Sequence, residues 1–574
     1  PGILVADEPT TGLDLITQKQ IIATLLKILN KKNNMSLIFV THSLGLLNQV
    51  LCGQGKVLVF YKGHLLEEFE ITPYKCLDQN LFCHHPYTVK LLHNFIQHYS
   101  SNDNFWELYS KNIKNCTNNP NKQKIDHSGC PYKNYCELLK TNLKNEKFDF
   151  IVKKCNNIKP KFRKIKSAFK EQWIACHVWQ QEDFFNKILN ISPKIELQTS
   201  KYKIFDKREK ILTVKNLSSG YKNNLPVINN LSFDLYDQEH VGIVGESGSG
   251  KTTLAKALSR LEDLDQRKSG KIIRRFQGHM VESNSISNDF RQKYHNLNQL
   301  VWQHPSEVFS QHETIGNILY DACKVWTKIW NINETNSKTR MRIKQVLKEF
   351  ELLGDQKNVD YFLNQKPIYI SGGQRKRLLL SRTLLSCGYP EFTKEKDSRI
   401  IYIDEPLRGI DVVNKQLILQ CLEKAVERLN STIVIITHDL RIVRKFCQKL
   451  FLLYYGHIVE SGNIEDIIDK DVNLVGYLNS HHPYTIDLLS CIPRLNRLWE
   501  NEKFISVQNQ QNIFKSGQDH RSNMGCVYRS RCSRYKNLIK TESKTATLCS
   551  NVQPVLQKIN DTSLQVACHV INSK

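Results

Sequence analysis

No stretch of this 574-residue chain reaches the roughly 18 uninterrupted apolar residues that a membrane-crossing helix requires. Any work it does at a membrane therefore goes through partners that supply the spans. The pattern of a secretory leader is also missing. The chain opens on Pro1 and not on Met, so its first residues bear no testimony on that point. Acidic residues are short, 56 against 81 Lys plus Arg, which leaves a formal charge of +25. Such an excess suits nucleic acid or an anionic membrane surface. The basic stretches, such as KNIKNCTNNPNKQK at 111–124, lack the interleaved aromatics on which bases stack. General lysine enrichment is the better reading, and no nucleic acid is expected. Hydrophobic residues at 40 % and charged residues at 24 % fit ordinary globular domains, several of them at this length. Cysteine is not in short supply: there are 17.

What is present is a repeat. GILVADEPTTGLD at 2–14 answers to RIIYIDEPLRGID at 399–411, FVTHSLGLL at 39–47 to IITHDLRIV at 435–443, and HHPYT at 84–88 to HHPYT at 481–485. The offset barely slips, being 397 from Asp7 to Asp404, 396 from His42 to His438, and 396 from Cys130 to Cys526. One element has no counterpart. GESGSGKTT at 245–253 occurs in the second copy alone, which suggests that the front of the first copy is absent from the sequence as given.

HVGIVGESGSGKTTLAKALSRL reads as a short buried strand, a glycine-rich turn and an amphipathic helix, the context in which G-x-x-x-x-G-K-[ST] is a phosphate-binding loop. Gly245, Gly248 and Gly250 let the backbone N–H groups of Glu246, Ser247, Ser249 and their neighbours surround phosphates, and the helix N-terminus adds partial positive charge. Lys251 reaches the β and γ phosphates and Thr252, followed by Thr253, ligates magnesium. Further on come Gln303 in LVWQHPSEVF, YISGGQRKRLLLSRTLL at 369–385, IIYIDEP ending at Asp404 and Glu405, and IVIITHD ending at His438.

In that order these segments resemble the ATP-binding subunit of an ABC transporter, with Walker A, Q-loop, signature, Walker B, D-loop and switch histidine across 211–470. The resemblance implies a P-loop α/β fold with a helical subdomain. It implies ATP and Mg²⁺, the metal held through Thr252, Gln303 and Asp404. Glu405 polarises the attacking water and His438 contacts the γ-phosphate. Ser371, Gly372, Gly373 and Gln374 serve ATP held by an opposite domain, since two such domains dock head to tail. Tyr221 matches the aromatic that stacks on adenine, although a tyrosine beside a strand is also often plain packing. Departures are modest: Ile370 stands for the usual leucine, Trp302 and His304 flank Gln303, and 271–300 matches poorly.

In the first copy Asp7, Glu8, Asp14 and His42 recreate the Walker B pair, D-loop and switch histidine, with Glu8 and His42 as the catalytic pair. LITQKQIIATLLKILN between them has helical apolar spacing. With one phosphate loop and one signature, the chain as given is expected to bind ATP but to hydrolyse it poorly. Pairing of two chains through the second ATPase domain remains open.

After each switch histidine, HHPYT and a leucine-rich helix lead to four cysteines: Cys130, Cys136, Cys155 and Cys176, then Cys526, Cys532, Cys549 and Cys568. This narrows the resemblance to the ATPases of oligopeptide and dipeptide importers, a group that also handles nickel chelates. Four thiolates could close an iron–sulfur cubane or a tetrahedral zinc site, or could be buried, reduced thiols copied by duplication. The family resemblance favours [4Fe–4S]. His177 and His569, next to the last cysteine of each set, read as packing or capping residues.

The expected layout is the end of a first ATPase domain at 1–75, its four-cysteine extension at 76–177, a linker at 178–210, a complete ATPase domain at 211–470 and a second extension at 471–574. The expected role is the peripheral ATPase, on the cytoplasmic face of the cell membrane, of an importer for peptides or similar solutes. The implied partners are two integral-membrane permease subunits and an extracytoplasmic solute-binding protein. The rival is a tandem ATPase acting on nucleic acid or ribosomes.

Overall fold

The computed structural model describes residues 2–31, 35–41, 43–51, 55–71, 85–88, 91, 129–133, 136, 149–164, 172–178, 208–221, 226–259, 269–282, 288–305, 308–310, 312–353, 358–388, 398–408, 410, 412–429, 431–468, 480–492, 525–541, 543–559 and 562–572. The chain divides into two units, Pro1–Thr11 with Ile21–Lys201 and Pro493–Lys503, and Gly12–Gln20 with Tyr202–Ile492 and Phe504–Lys574. Among the described residues no helix is long and apolar enough to cross a membrane.

In the first unit β1 (Ile3–Asp7) and β2 (Ser36–Val40) pair in parallel. Parallel neighbours need a crossover. The predicted helix supplies it as α1 (Leu15–Lys31), whose first turn is capped by Asp14 accepting from the Thr17 N–H at 3.0 Å. Ile22 of α1 packs with Leu46 and Val50 of α2 (Leu44–Leu51) against Leu37 and Phe39. The other face of the pair is bare: Ile3 and Val5 are 60 % and 62 % exposed, Ile38 and Val40 51 % and 46 %. The hairpin β3 (Gly55–Tyr61) and β4 (His64–Ile71) follows. After α3 (Asp149–Asn157), the short strands β5 (Arg163–Lys164) and β6 (Gln172–Ile174) complete a sheet in the order β3-β4-β6-β5.

The second unit begins with an antiparallel layer. β7 (Lys210–Ser219), β8 (Ile228–Tyr236), β10 (Ser269–Phe276) and β11 (His279–Glu282) run in the order β11-β10-β7-β8. Residues 271–300, which match the family pattern poorly, thus still supply a hairpin to this layer. The main sheet has eight strands. β9 (Val241–Val244), β12 (Asn298–Val301), β13 (Ile400–Asp404), β14 (Thr432–Thr437), β15 (Lys449–Tyr454), β16 (His457–Asn463), β17 (Gln557–Lys558) and β18 (Gln565–Val566) lie in the order β12-β13-β14-β9-β15-β16-β18-β17. The continuous apolar runs IIYI and TIVII are the signature of parallel strands covered on both faces, and every residue of β13 and β14 is buried. Leu254, Ala255 and Leu258 of α4 (Lys251–Ser259) pack against Ile400, Tyr402, Val434 and Ile436. A helical layer adds α5 (Ile315–Ile329), α6 (Asn336–Glu349), α7 (Val359–Leu363) and α8 (Gly372–Ser386).

The end of each unit repeats one construction. β16 pairs with β18, Glu460 opposite Val566, as β4 pairs with β6, Glu67 opposite Ile174. The four-cysteine segments are therefore not beads on a string; each returns a strand to its own unit's sheet.

Candidate nucleotide site and cysteine tails

The glycine-rich turn leaves β9 at the middle of the main sheet, between β14 and β15, and enters α4. Only glycine fits at Gly245, where a Cβ would lie 2.2 Å from the Leu453 carbonyl oxygen, and Gly250 has φ +100°. Gly248 and Ser247 are exposed at the tip, while Ser249 and Thr253 are buried below it. Lys251 Nζ donates to the carbonyls of Gly245 at 2.9 Å and Glu246 at 2.8 Å. Burial pulls its pKa below the usual lysine range, against the opposing pull of Glu405 and Asp404.

The ends of β13 and β14 bring the acidic groups to this turn. Thr252 Oγ1 donates to Asp404 Oδ2 at 2.7 Å, and Asp404 Oδ1 is buried with no hydrogen-bond partner. A buried carboxylate oxygen left open beside a threonine hydroxyl fits a hard divalent cation such as Mg²⁺. Burial raises the Asp404 pKa, moderated by the Thr252 hydrogen bond.

Glu405 sits at φ +47°, an unusual conformation for a residue with a side chain, and turns its carboxylate back toward β14. There Oε1 meets His438 Nδ1 at 2.8 Å and accepts from the His438 N–H at 3.2 Å, and Oε2 accepts from Thr437 Oγ1 at 3.1 Å. Burial pushes the Glu405 pKa up, yet the His438 hydrogen bond and charge outweigh it and the net shift is downward. For His438, burial lowers the pKa and the bond to Glu405 outweighs it, so the imidazole is held above its ordinary value. Both shifts favour the ionised carboxylate at Glu405. Glu8 in the first unit has the same backbone, φ +41°, and its N–H donates to the Val40 carbonyl at 2.9 Å as the Glu405 N–H does to Ile436 at 2.8 Å. Its carboxylate meets Thr11 Oγ1 at 2.8 Å. His42 lies outside the described residues.

Ser371 caps α8 in a reciprocal box, accepting from the Gln374 N–H at 3.2 Å while Gln374 Oε1 accepts from the Ser371 N–H at 3.0 Å. The Gln374 side chain is thus engaged in its own helix end, while Gly372 faces open space. Gln303 Nε2 is buried without a partner, and Tyr221 is 38 % exposed.

Sequence reasoning missed Lys376, whose Nζ donates to the carbonyls of Glu405 at 3.1 Å and Pro406 at 3.4 Å. Burial lowers its pKa to about 8, Glu405 opposing. It also missed the centre of the HHPYT motif, a fully buried glutamate. Glu460 accepts from His481, the His482 N–H and Thr485, and Glu67 accepts from the His85 N–H, Thr88 and Gln172. The glutamate that follows an aliphatic residue on each hairpin strand, Leu66-Glu67 and Val459-Glu460, was the available signal. Each extension also has a tyrosine triad, with Tyr61–Tyr87 and Tyr454–Tyr484 centroids 4.9 and 4.8 Å apart and Tyr132 and Tyr528 completing them.

All eight tail cysteines are buried. Cys526, Cys532, Cys549 and Cys568 line one pocket with His482 and Tyr528, and Cys130, Cys136, Cys155 and Cys176 share one cluster in the first unit. Burial, then repulsion among the thiols, pushes the Cys526 pKa up to about 12. Yet among the described residues no group of three or more His, Cys, Asp or Glu side chains is placed to hold a metal ion. Neither a zinc site, which needs four sulfurs about 2.3 Å from one centre, nor an iron–sulfur cluster is shown by this arrangement. His177 Nε2 meets the Ile158 carbonyl at 2.7 Å and His569 Nε2 the Val552 carbonyl at 2.8 Å, so both cap backbone.

A phosphate loop, a carboxylate pair at the end of a buried parallel strand and a histidine on the next strand define an ATP-hydrolysing ABC cassette. Residues 228–407 match the family described as "ABC transporter", and 80–141 and 459–537 both match "Oligopeptide/dipeptide transporter, C-terminal region". The chain is 31 % identical over 329 residues to a protein of Brucella ovis named as a peptide import ATP-binding protein, covering 56 % of this chain and 89 % of that one. It is 28 % identical over 309 residues to the oligopeptide transport ATP-binding protein OppF of Streptococcus mutans, covering 53 % and 88 %. The chain belongs to the oligopeptide/dipeptide-type family of ABC transporter ATP-binding proteins. Among solved structures, a dimeric bacterial ABC transporter cassette aligns at 23 % identity and TM-score 0.36, over 44 % of this chain and 99 % of that one.

Proposed function

We propose that this chain is the ATPase of an importer for peptides or similar small solutes, peripheral on the cytoplasmic face of the membrane. It drives two permease subunits fed by an extracytoplasmic binding protein. The names of the Brucella and Streptococcus relatives support the solute class. The proposed layout is two tandem cassettes, 1–75 and 211–470, with cysteine-bearing extensions at 76–177 and 471–574 and a linker at 178–210.

The observation that carries the mechanism is Glu405 held between His438 and Thr437, one residue from Asp404 and its bond to Thr252. Lys251 and the loop N–H groups hold the phosphates. Thr252, Asp404 and Gln303 would hold Mg²⁺, which when bound would offset the charge that develops on the phosphoryl group. Glu405 takes a proton from water as its oxygen bonds to the γ-phosphorus, and the bond from that phosphorus to the β–γ bridging oxygen breaks to release ADP. His438 keeps the carboxylate ionised and aimed. Ser371, Gly372 and Gly373 present a helix N-terminus to ATP held by an opposing cassette. Glu405→Gln is expected to lower turnover at least about 100-fold while ATP binding persists. Full turnover in that variant would remove Glu405 from its role as base.

The finer reading of the tails is a [4Fe–4S] cluster. Its support is the donor set, four thiols around one pocket, which a cubane takes. Iron and acid-labile sulfide in anaerobically purified protein decide this, and their absence leaves the sets as buried thiols.

A further inference from the structure

The second cysteine tail touches the phosphate loop itself. Arg531, in the turn between Cys526 and Cys532, places Nη1 at 2.9 and 3.0 Å from the two carboxylate oxygens of Glu246, the second residue of the loop. Tyr484 of the HHPYT motif accepts from the Glu246 N–H at 3.1 Å. The pair is interior, with side chains 14 % and 17 % exposed, so it is not the weak surface kind. The guanidinium lies over the rings of Tyr454 and Tyr528, and the Tyr528 carbonyl accepts from the Cys532 N–H at 3.0 Å. The carbonyl of Glu246 is in turn one of the two that hold Lys251 Nζ. A continuous set of contacts therefore runs from the cysteine turn to the lysine of the phosphate loop.

We infer that Arg531 and Tyr484 are positioning residues of the ATP site, fixing the phosphate loop through Glu246, so that nucleotide affinity depends on the cysteine turn being intact. The chemistry is direct. A carboxylate within a loop that cradles polyphosphate repels its ligand unless a cation offsets it, and Arg531 is that cation. The anchor belongs to the second copy, because the position 396 residues earlier carries Tyr135.

The inference rests on Lys251 being the phosphate ligand, which Lys251→Ala tests separately by abolishing binding whatever the state of the tail. The experiment measures Mg²⁺-dependent binding of a fluorescent ATP analogue to the full 574-residue chain. Arg531→Gln is expected to weaken binding about tenfold, the size of a lost charge-assisted bond. Adding Glu246→Gln should restore affinity to within about threefold of wild type, because no lone buried carboxylate then faces the phosphates. A merely structural role predicts no such rescue. Binding by Arg531→Gln within twofold of wild type, or a double variant as weak as the single one, overturns the proposal. Should Arg531→Gln fail to fold, Tyr484→Phe decides between the outcomes: about threefold weaker binding supports the anchor and unchanged binding overturns it.

Discussion

The strands Ile3–Asp7 and Ile400–Asp404 are both apolar runs that lead to the same carboxylate pair, yet one is half bare and the other wholly buried. Their glutamates share a left-handed backbone and the same hydrogen bond to the neighbouring strand. The local turn is thus written into the strand end itself, whereas burial comes from what packs on it. In the second unit that cover is the phosphate-loop helix Lys251–Ser259 and the antiparallel layer; in the first unit no described element fills that place. The tails teach the converse. Their strands, buried glutamates, tyrosine triads and capping histidines coincide in both units, so the extension needs only its own hairpin to fold upon.

The strongest way to break this comparison is a charge on each strand. Ile401→Lys buries an unpaired ammonium at a site 1 % exposed and is expected to abolish cooperative unfolding of the second unit together with ATP binding. Val5→Lys, on the bare face, should change stability by no more than about 0.5 kcal/mol and reduce binding of a hydrophobic dye. Next comes the shared glutamate. Glu460→Ala and Glu67→Ala each strand several buried donors and should each cost about 3 kcal/mol or more in thermal unfolding. A cost confined to one unit would end the equivalence of the tails.

A smaller effect is expected at the glycines that precede the first cysteine of each set. Gly129 and Gly525 have φ +85° and +80°, and an added Cβ would stand 2.3 and 2.1 Å from the carbonyl oxygens of Asn156 and Ser550. Alanine at either should destabilise its unit by about 1–3 kcal/mol, read by urea unfolding. The smallest effect is on pH. Burial lowers the pKa of His482 to about 3 and of His85 to about 4, each accepting at Nδ1 from the tyrosine N–H two residues on. The unfolded chain takes up these protons below pH 6.5 while the folded one does not, so stability is full above that value and falls as the pH drops toward the folded values. His482→Asn, which keeps the helix cap, should flatten the loss of melting temperature between pH 7 and 5.

Much of the nucleotide site was legible because its chemistry is sequential. Gly245 through Thr253 are one unbroken segment, Asp404 and Glu405 are adjacent, and apolar runs mark the strands that carry them. Lys376 was not legible, since its bond to the Glu405 carbonyl joins segments with no pattern in common. Arg531 hid for the same reason: it meets Glu246 across 285 residues, and the repeat that revealed so much has a tyrosine there. What the cysteines hold was not legible, because spacing along a chain counts ligands but does not measure the distance among their sulfurs.

The pairing of Gln565–Val566 with Glu460–Ser461 has a consequence for synthesis. As the chain emerges from the ribosome, the edge of strand His457–Asn463 stays open while the 104 positions from Ser461 to Gln565 are being made. An unpaired edge invites the wrong neighbour. The late strand is therefore also the closing stitch of the cassette, and the edge of His457–Asn463 is covered only after that strand has left the ribosome.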